Sequence, residues 1–309
     1  MVAQVIDVLQ LIPLRPEVQK DLEAKYRVHG KDDFDKVAGI VRGVVTNAHS
    51  GPTAEMIDRM PKLEIIASAS VGYDEIAVEH AQSKGIPVTN TPDVLNDDVA
   101  DLAIALMIMT ARRLPASDAY VRAGKWPKGG EYTLAQTASG KRVGILGMGR
   151  IGREIAKRAE AMNNIVAYHS RRPVADVPYK HYPDLVEMAK NSDFLVAIIP
   201  ATPQTQKIVN KTVMEALGPT GILVNVARGA VVDEDALVEA LKSGKLGGAG
   251  LDVFVNEPQV PPELFAMDNV VLQPHVGSAT HETRRAMSQL VLDNLDAKFA
   301  GKPLLTEIK

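Results

Sequence analysis

Short apolar runs alternate with longer amphipathic stretches from the start of the chain. Ala3 to Leu9 predicts a strand, a helix begins at Pro16, and strands follow at Gly43 to Thr46 and Leu63 to Ala69. Asp74 to Ser83 reads as a helix closed by Gly85, and Ile86 to Asn90 as the next strand. This alternation is the pattern of βαβ units on a parallel sheet. Asp97 to Arg113 is apolar on nearly every side, which predicts a helix that is buried, lies at a subunit contact or carries the chain between domains.

A polar, glycine-containing stretch from Gly124 to Gly140 precedes a second series. Its expected strands are Arg142 to Leu146, Ile165 to His169, Phe194 to Ile199, Ile222 to Val226, Gly248 to Val253 and Val270 to Leu272, with a helix over Arg150 to Met162. Together they make a complete doubly wound domain. A last helix, His281 to Ala300, carries its own apolar stripe (Met287, Leu290, Val291, Leu295) and is placed to pack back on the first series. The expected fold is therefore α/β, with two doubly wound parallel-sheet domains. One is discontinuous, 1–97 with 282–309, and the other spans 98–281.

Composition narrows the function classes. The 309 residues are 46% hydrophobic, 24% charged and 4% aromatic, an ordinary make-up for a soluble α/β protein and poor in rings on which bases would stack. A net charge of -3 supplies no long-range attraction to nucleic acid or anionic membrane, so any basic pocket must be local. There is no cysteine, so disulfides and thiolate chemistry are excluded. The first 19 residues show no basic leader, and the apolar run Leu102 to Ala111 is too short to span a bilayer. A cytoplasmic protein without nucleic-acid or membrane partners is expected.

Gly147-Met148-Gly149-Arg150-Ile151-Gly152 follows an expected strand and opens a helix. In a dinucleotide fingerprint the first glycine makes the tight turn, the second lets the backbone approach the pyrophosphate, and the third lets helix and strand pack closely. The helix N-terminus then receives the anion. Binders of the unphosphorylated dinucleotide place a carboxylate after the next strand, for the ribose 2′-hydroxyl; here the chain reads Ser170-Arg171-Arg172. A serine hydroxyl and two guanidinium groups suit a 2′-phosphate, so NADP(H) is expected in preference to NAD(H). The alternative is a pair of solvated loop arginines.

Three polar residues each follow a later strand: Arg228 in Asn225-Val226-Ala227-Arg228-Gly229, Glu257 in Asp252-Val-Phe-Val-Asn-Glu257-Pro258, and His275 in Pro274-His275-Val276-Gly277-Ser278. Hydride transfer to a 2-oxo acid needs a cation for the carboxylate and carbonyl and an acid for the oxygen that gains charge. A histidine beside a carboxylate suits the second task. Taken singly, each residue is as readily a salt bridge, a loop residue or a packed histidine.

In combination with Ser70-Val71-Gly72-Tyr73-Asp74, these motifs resemble the D-isomer-specific 2-hydroxyacid dehydrogenase family over nearly the whole chain, most of all its glyoxylate/hydroxypyruvate reductases. The resemblance implies a Rossmann-like cofactor domain and a flavodoxin-like substrate domain with a cleft between them, hinged near Asn96 to Val99 and near His281. It implies that Arg228 binds the substrate carboxylate and carbonyl, that His275 is the acid/base and Glu257 tunes it, and that the amides of Val71 and Gly72 hold the carboxylate. Asp252 would contact the nicotinamide amide, and the cofactor contacts would take in Ile199, Pro200, Thr205, Val226, Ala227 and Gly277. No metal is expected. A homodimer is implied, built around the long helix and the loop after it. Trp126 would either reach the partner's active site or anchor the dimer loop.

The substrate expected is a small 2-oxo acid, glyoxylate or hydroxypyruvate, reduced to glycolate or D-glycerate. An aryl-2-oxo-acid reductase acting on hydroxyphenylpyruvate differs only in the pocket, for which Leu95, Trp126 and Met267 are candidates. An NAD-linked phosphoglycerate dehydrogenase is disfavoured by Ser170-Arg171-Arg172 and by a chain ending at Lys309 with no room for a regulatory domain. Glu257 stands where formate dehydrogenases of this fold carry an amide. A dinucleotide-sensing co-repressor could keep all three polar residues.

Overall fold

A computed structural model describes residues 5–129 and 131–309. They form two compact units, one joining residues 5–95 with Ser278–Lys309 and the other running Asn96–Gly277.

The first unit holds five parallel strands: β1 (Asp7–Gln10), β2 (Arg27–Gly30), β3 (Gly43–Thr46), β4 (Ile65–Ser68) and β5 (Val88–Thr89), in the order β2-β1-β3-β4-β5. Every residue of β3 and β4 is buried, as expected for a parallel sheet covered on both faces. Pro16 opens the helix Pro16–Lys25, where its missing N–H costs nothing, and Val18 and Leu22 point inward. The helix His281–Phe299 starts on the Thr280 hydroxyl, which accepts from Thr283 N–H at 3.2 Å. Its Val291, Leu292 and Leu295 join Val8, Val18, Val45 and Ile65 in one buried cluster. The segment after it lies along β5: Thr89 pairs with Glu307, and Ile308 N–H donates to the Val88 carbonyl at 2.8 Å.

The second unit holds seven parallel strands: β6 (Arg142–Leu146), β7 (Ile165–His169), β8 (Lys180–Tyr182), β9 (Phe194–Ala197), β10 (Ile222–Asn225), β11 (Gly248–Leu251) and β12 (Val270–Leu272). Their order is β12-β11-β10-β9-β6-β7-β8. The chain winds outward from β6 to β8 and then returns to β9 on the other side of β6. That reversal is the topological switch point at which open α/β sheets bind ligands. The helix Asn96–Arg112 buries the stripe Val99, Ala103, Leu106, Met107 and Thr110, and a Cβ on Gly250 would lie 2.9 Å from Leu106 Cβ, so the helix lies directly on the sheet. Arg158 reaches Asp97, Asp101 and Glu154 at 2.7, 2.6 and 2.7 Å, fastening this helix to Arg150–Ala161.

The structure departs from expectation mainly where the chain is polar or at an edge. β2 and β8 are four and three residues of mostly polar sequence with none fully buried, so no apolar run announced them. The first strand starts at Asp7 among the described residues; Ala3 and Gln4, part of the expected strand, lie outside them. The helix expected from Asp74 begins only at Val78, after a turn, and the Gly124 to Gly140 stretch opens with a short helix, Trp126–Gly129; the helix Leu114–Arg122 before it was also unforeseen. Among the described residues no helix is long and apolar enough to cross a membrane.

Candidate active site

The turn after β6 is shaped by its glycines. Gly147 sits at φ +107°, and a Cβ there would lie 2.5 Å from the Ile198 carbonyl oxygen. A Cβ on Gly152 would lie 2.1 Å from the Gly147 carbonyl oxygen. Both positions are glycine because the protein leaves no room. Gly149 differs: its φ of -81° suits any residue, and a Cβ there would meet nothing within 4 Å. The room above Gly149 is therefore room for another molecule. Gly149 also caps the helix Arg150–Ala161, whose first turn has no acidic residue and no side-chain cap, leaving the helix dipole for an anion. Arg150 and Ile151 lie in that first turn, and Met148 is buried beneath it. These features fit the pyrophosphate of a dinucleotide.

The strand beside β6 leads to the second cofactor feature. Ser170, Arg171 and Arg172 follow β7 directly, and both arginines are exposed. The Ser170 hydroxyl, expected to face a 2′-phosphate, instead donates to the Arg172 carbonyl at 2.6 Å, because the chain turns back within its reach. On the other side of the switch point, Ile199, Pro200 and Thr205 form the loop after β9, where the Thr205 hydroxyl donates to the Pro200 carbonyl at 2.7 Å and accepts from Thr202 N–H at 2.8 Å.

Beyond β10 the buried Asn225 builds a turn. Its Oδ1 accepts from Ala227 N–H at 3.1 Å, and its Nδ2 donates to the Arg228 carbonyl at 3.0 Å. This carries the chain through Val226 and Ala227 to a half-buried Arg228, whose Nη1 donates to the Ala227 carbonyl at 2.8 Å. Gly229 follows because a Cβ there would lie 2.0 Å from Phe254 backbone. The loop after β11 thus packs directly on the loop after β10.

The loops after β11 and β12 are joined by two carboxylates. Asp252 is only 2% exposed; Oδ1 accepts from Val276 N–H at 2.7 Å and Oδ2 from Gly277 N–H at 2.9 Å, while its carbonyl accepts from His275 N–H at 2.9 Å. Burial pushes its carboxyl above the ordinary carboxylate range, against the pull of the two amides and of His275. The sequence marked Asp252 for the nicotinamide; its role in shaping the His275 loop was not foreseen, since the contacts span 24 and 25 residues. His275 itself has φ +54°, the strained left-handed region, which those bonds maintain. Its Nδ1 is hydrogen-bonded to Glu257 Oε2 at 2.7 Å, and Glu257 Oε1 accepts from Phe254 N–H at 3.0 Å. The structure thus brings Glu257 and His275 together.

Val71 and Gly72 lie in the first unit, after β4. The Val71 carbonyl accepts from Asn90 Nδ2 at 2.9 Å and the Gly72 carbonyl from the Ser70 hydroxyl at 2.8 Å, while neither amide donates to another described residue. Trp126 is 61% exposed on its short helix in the second unit.

Comparison with known proteins agrees with this geometry. Residues 104–277 match the model of the D-isomer specific 2-hydroxyacid dehydrogenase NAD binding domain. A glyoxylate/hydroxypyruvate reductase from Arabidopsis thaliana is 50% identical, with 98% of this chain and 99% of the relative covered. A hydroxyphenylpyruvate reductase from Plectranthus scutellarioides is 48% identical, with 99% of each covered. Among solved structures, the NADPH-dependent glyoxylate/hydroxypyruvate reductase of Sinorhizobium meliloti in complex with NADP and malonate superposes with a TM-score of 0.92 at 42% identity, covering 98% of this chain and 96% of that one. The dinucleotide turn, the paired His275 and Glu257, and a match that spans both units make this chain a member of the D-isomer specific 2-hydroxyacid dehydrogenases, a family of oxidoreductases.

Proposed function

We propose that the protein is an NADPH-dependent reductase of small 2-oxo acids, turning glyoxylate or hydroxypyruvate into glycolate or D-glycerate. The observation that carries the proposal is the hydrogen bond between His275 Nδ1 and Glu257 Oε2, on the loops that follow the strands of a dinucleotide-binding sheet. With Nδ1–H donating to the carboxylate, Nε2 is the nitrogen left for a transferable proton. Bound NADPH would supply the hydride. Arg228 offers a planar guanidinium to the acid's carboxylate and carbonyl, and His275 Nε2–H protonates the carbonyl oxygen as it gains negative charge. Glu257 holds the ring in place. In the first unit, the amides of Val71 and Gly72 are two donors suited to a carboxylate.

The cofactor preference rests on Ser170-Arg171-Arg172, which leaves no carboxylate after β7 to repel a 2′-phosphate, and the Sinorhizobium meliloti relative named NADPH-dependent supports it. In a cytoplasm that keeps this cofactor reduced, the enzyme would run as a reductase. Leu114, Val121, Trp126 and Leu134 are exposed apolar residues on and after the helix Leu114–Arg122, which buries none of its own side chains. A second copy of the chain covering this surface would make the homodimer and cover Trp126.

The test is steady-state turnover of glyoxylate, hydroxypyruvate and hydroxyphenylpyruvate with NADPH or NADH. Fast oxidation of NADPH with the two small acids is expected. Preference for NADH would overturn the cofactor assignment, and preference for hydroxyphenylpyruvate, the activity named for the Plectranthus relative, would overturn the substrate.

A further inference from the structure

The two arginines after β7 sit on a backbone that is fastened at nearly every residue. The Ser170 carbonyl accepts from His181 Nε2, on β8, at 3.0 Å. The Arg172 carbonyl accepts from the Ser170 hydroxyl at 2.6 Å. Val174 N–H donates to the Tyr168 hydroxyl at 2.9 Å. The carbonyls of Ala175 and Asp176 accept from the guanidinium of Arg153 at 3.1 and 3.4 Å. Tyr168 is buried and its ring lies 5.1 Å from that of His181, so two of these fasteners support each other. The guanidinium groups of Arg171 and Arg172, in contrast, make no hydrogen bond or ion pair with another described residue. The main chain is held by these bonds and the cationic side chains are left for a ligand.

From this arrangement we infer that Arg153 and Tyr168 are positioning residues for the 2′-phosphate of the dinucleotide. They touch no part of it; they fix the loop from which Arg171 and Arg172 reach it. The inference rests on the proposed NADP(H) preference. Ordering a free surface loop on binding costs conformational entropy. A loop already fastened avoids that cost, and the saving goes to the ligand that uses the arginines. Arg153 belongs to the helix whose N-terminus faces the pyrophosphate. One side chain thereby sets the loop for the 2′-phosphate relative to the site for the pyrophosphate.

The experiment is calorimetric binding of 2′,5′-ADP and of 5′-ADP, without turnover, to the wild type, Tyr168→Phe, Arg153→Gln, Arg153→Lys and the Arg171→Ala/Arg172→Ala double variant. Tyr168→Phe and Arg153→Gln are expected to weaken 2′,5′-ADP about five- to tenfold, a loss of roughly 1–1.4 kcal/mol, and to leave 5′-ADP unchanged. Arg153→Lys, which keeps a donor for the carbonyls, should recover part of the loss. A parallel loss for both ligands would show a general structural role and overturn the inference. So would an unchanged ratio in both single variants while the double variant loses 2′,5′-ADP. If the double variant binds 2′,5′-ADP as well as the wild type does, the NADP(H) reading itself fails, a result distinct from the other two.

Discussion

The seven-stranded sheet carries two kinds of site along the same edge. At β6 the site is main chain: glycines that admit close approach, and a helix N-terminus with no side chain capping it. At β11 and β12 it is side chain: Asp252 clamps the amides of Val276 and Gly277, and Glu257 orients His275. The first kind excludes side chains so that an invariant group, a pyrophosphate, can be met by invariant atoms. The second fixes a strained backbone around the side chain proposed to move the proton. Such sites should fail differently when altered.

The largest failure is expected at His275. His275→Ala should lower kcat by roughly 10²–10⁴ and leave the dinucleotide Kd unchanged, as measured by turnover and fluorescence titration. A matching loss of cofactor affinity would erase the division between the two regions. Asp252→Ala comes next. It leaves the Val276 and Gly277 amides without their acceptor, at about 1–3 kcal/mol for each buried group, and frees His275 from its position. Denaturant unfolding should show the first effect and turnover the second.

At the glycine turn the contrast sharpens. Gly152→Ala forces a Cβ against the Gly147 carbonyl and should destabilise the unit by about 1–3 kcal/mol. Gly149→Ala meets no protein atom, so the melting temperature should hold while the Kd for dinucleotide rises. Equal melting temperatures for both variants would refute the view that only Gly149 serves the ligand.

The smallest effect lies at the far end of β6. Asp193 holds Arg142 through its backbone N–H and its guanidinium, with distances of 2.8 to 3.1 Å. The hydrogen bond from Arg142 keeps the Asp193 carboxyl below the ordinary range. A lowered folded-state value contributes stability above the ordinary carboxylate range and loses it as pH falls through the lowered one. Asp193→Asn should therefore destabilise at neutral pH by less than about 1 kcal/mol, since the pair is partly exposed. The two proteins should converge in acid. A difference that persists there would assign the effect to packing instead of charge.

Sequence made the mainly apolar strands legible, the edge strand β12 included. β3, β6, β7 and β12 begin and end where the apolar runs do. β2 and β8 were hidden because they are mostly polar and bury no residue fully, and the helix Leu114–Arg122 because it buries nothing that would give it a stripe. In the candidate site, Arg228, Glu257 and His275 could be singled out because each chemistry-bearing residue follows a strand. The supporting bonds could not: Asp252 meets residues 24 and 25 positions away, and Arg153 meets carbonyls 22 and 23 positions away. Local signals do not carry such distances. Asn225 stood in the sequence only as part of the Arg228 motif and Ser170 as a donor to a phosphate; the turns they build were not legible.

The first unit is closed by residues made after the second unit. Its buried cluster needs Val291, Leu292 and Leu295, and β5 is flanked by the segment around Glu307. During synthesis the first 95 residues emerge without that cover, and the whole of Asn96–Gly277 is made before it arrives. The second unit, whose sequence is continuous, can fold as it leaves the ribosome, whereas the first must wait with an apolar sheet face bare. At about 5–20 residues per second, that wait lasts on the order of ten to forty seconds, the interval in which a nascent chain of this protein most needs a chaperone.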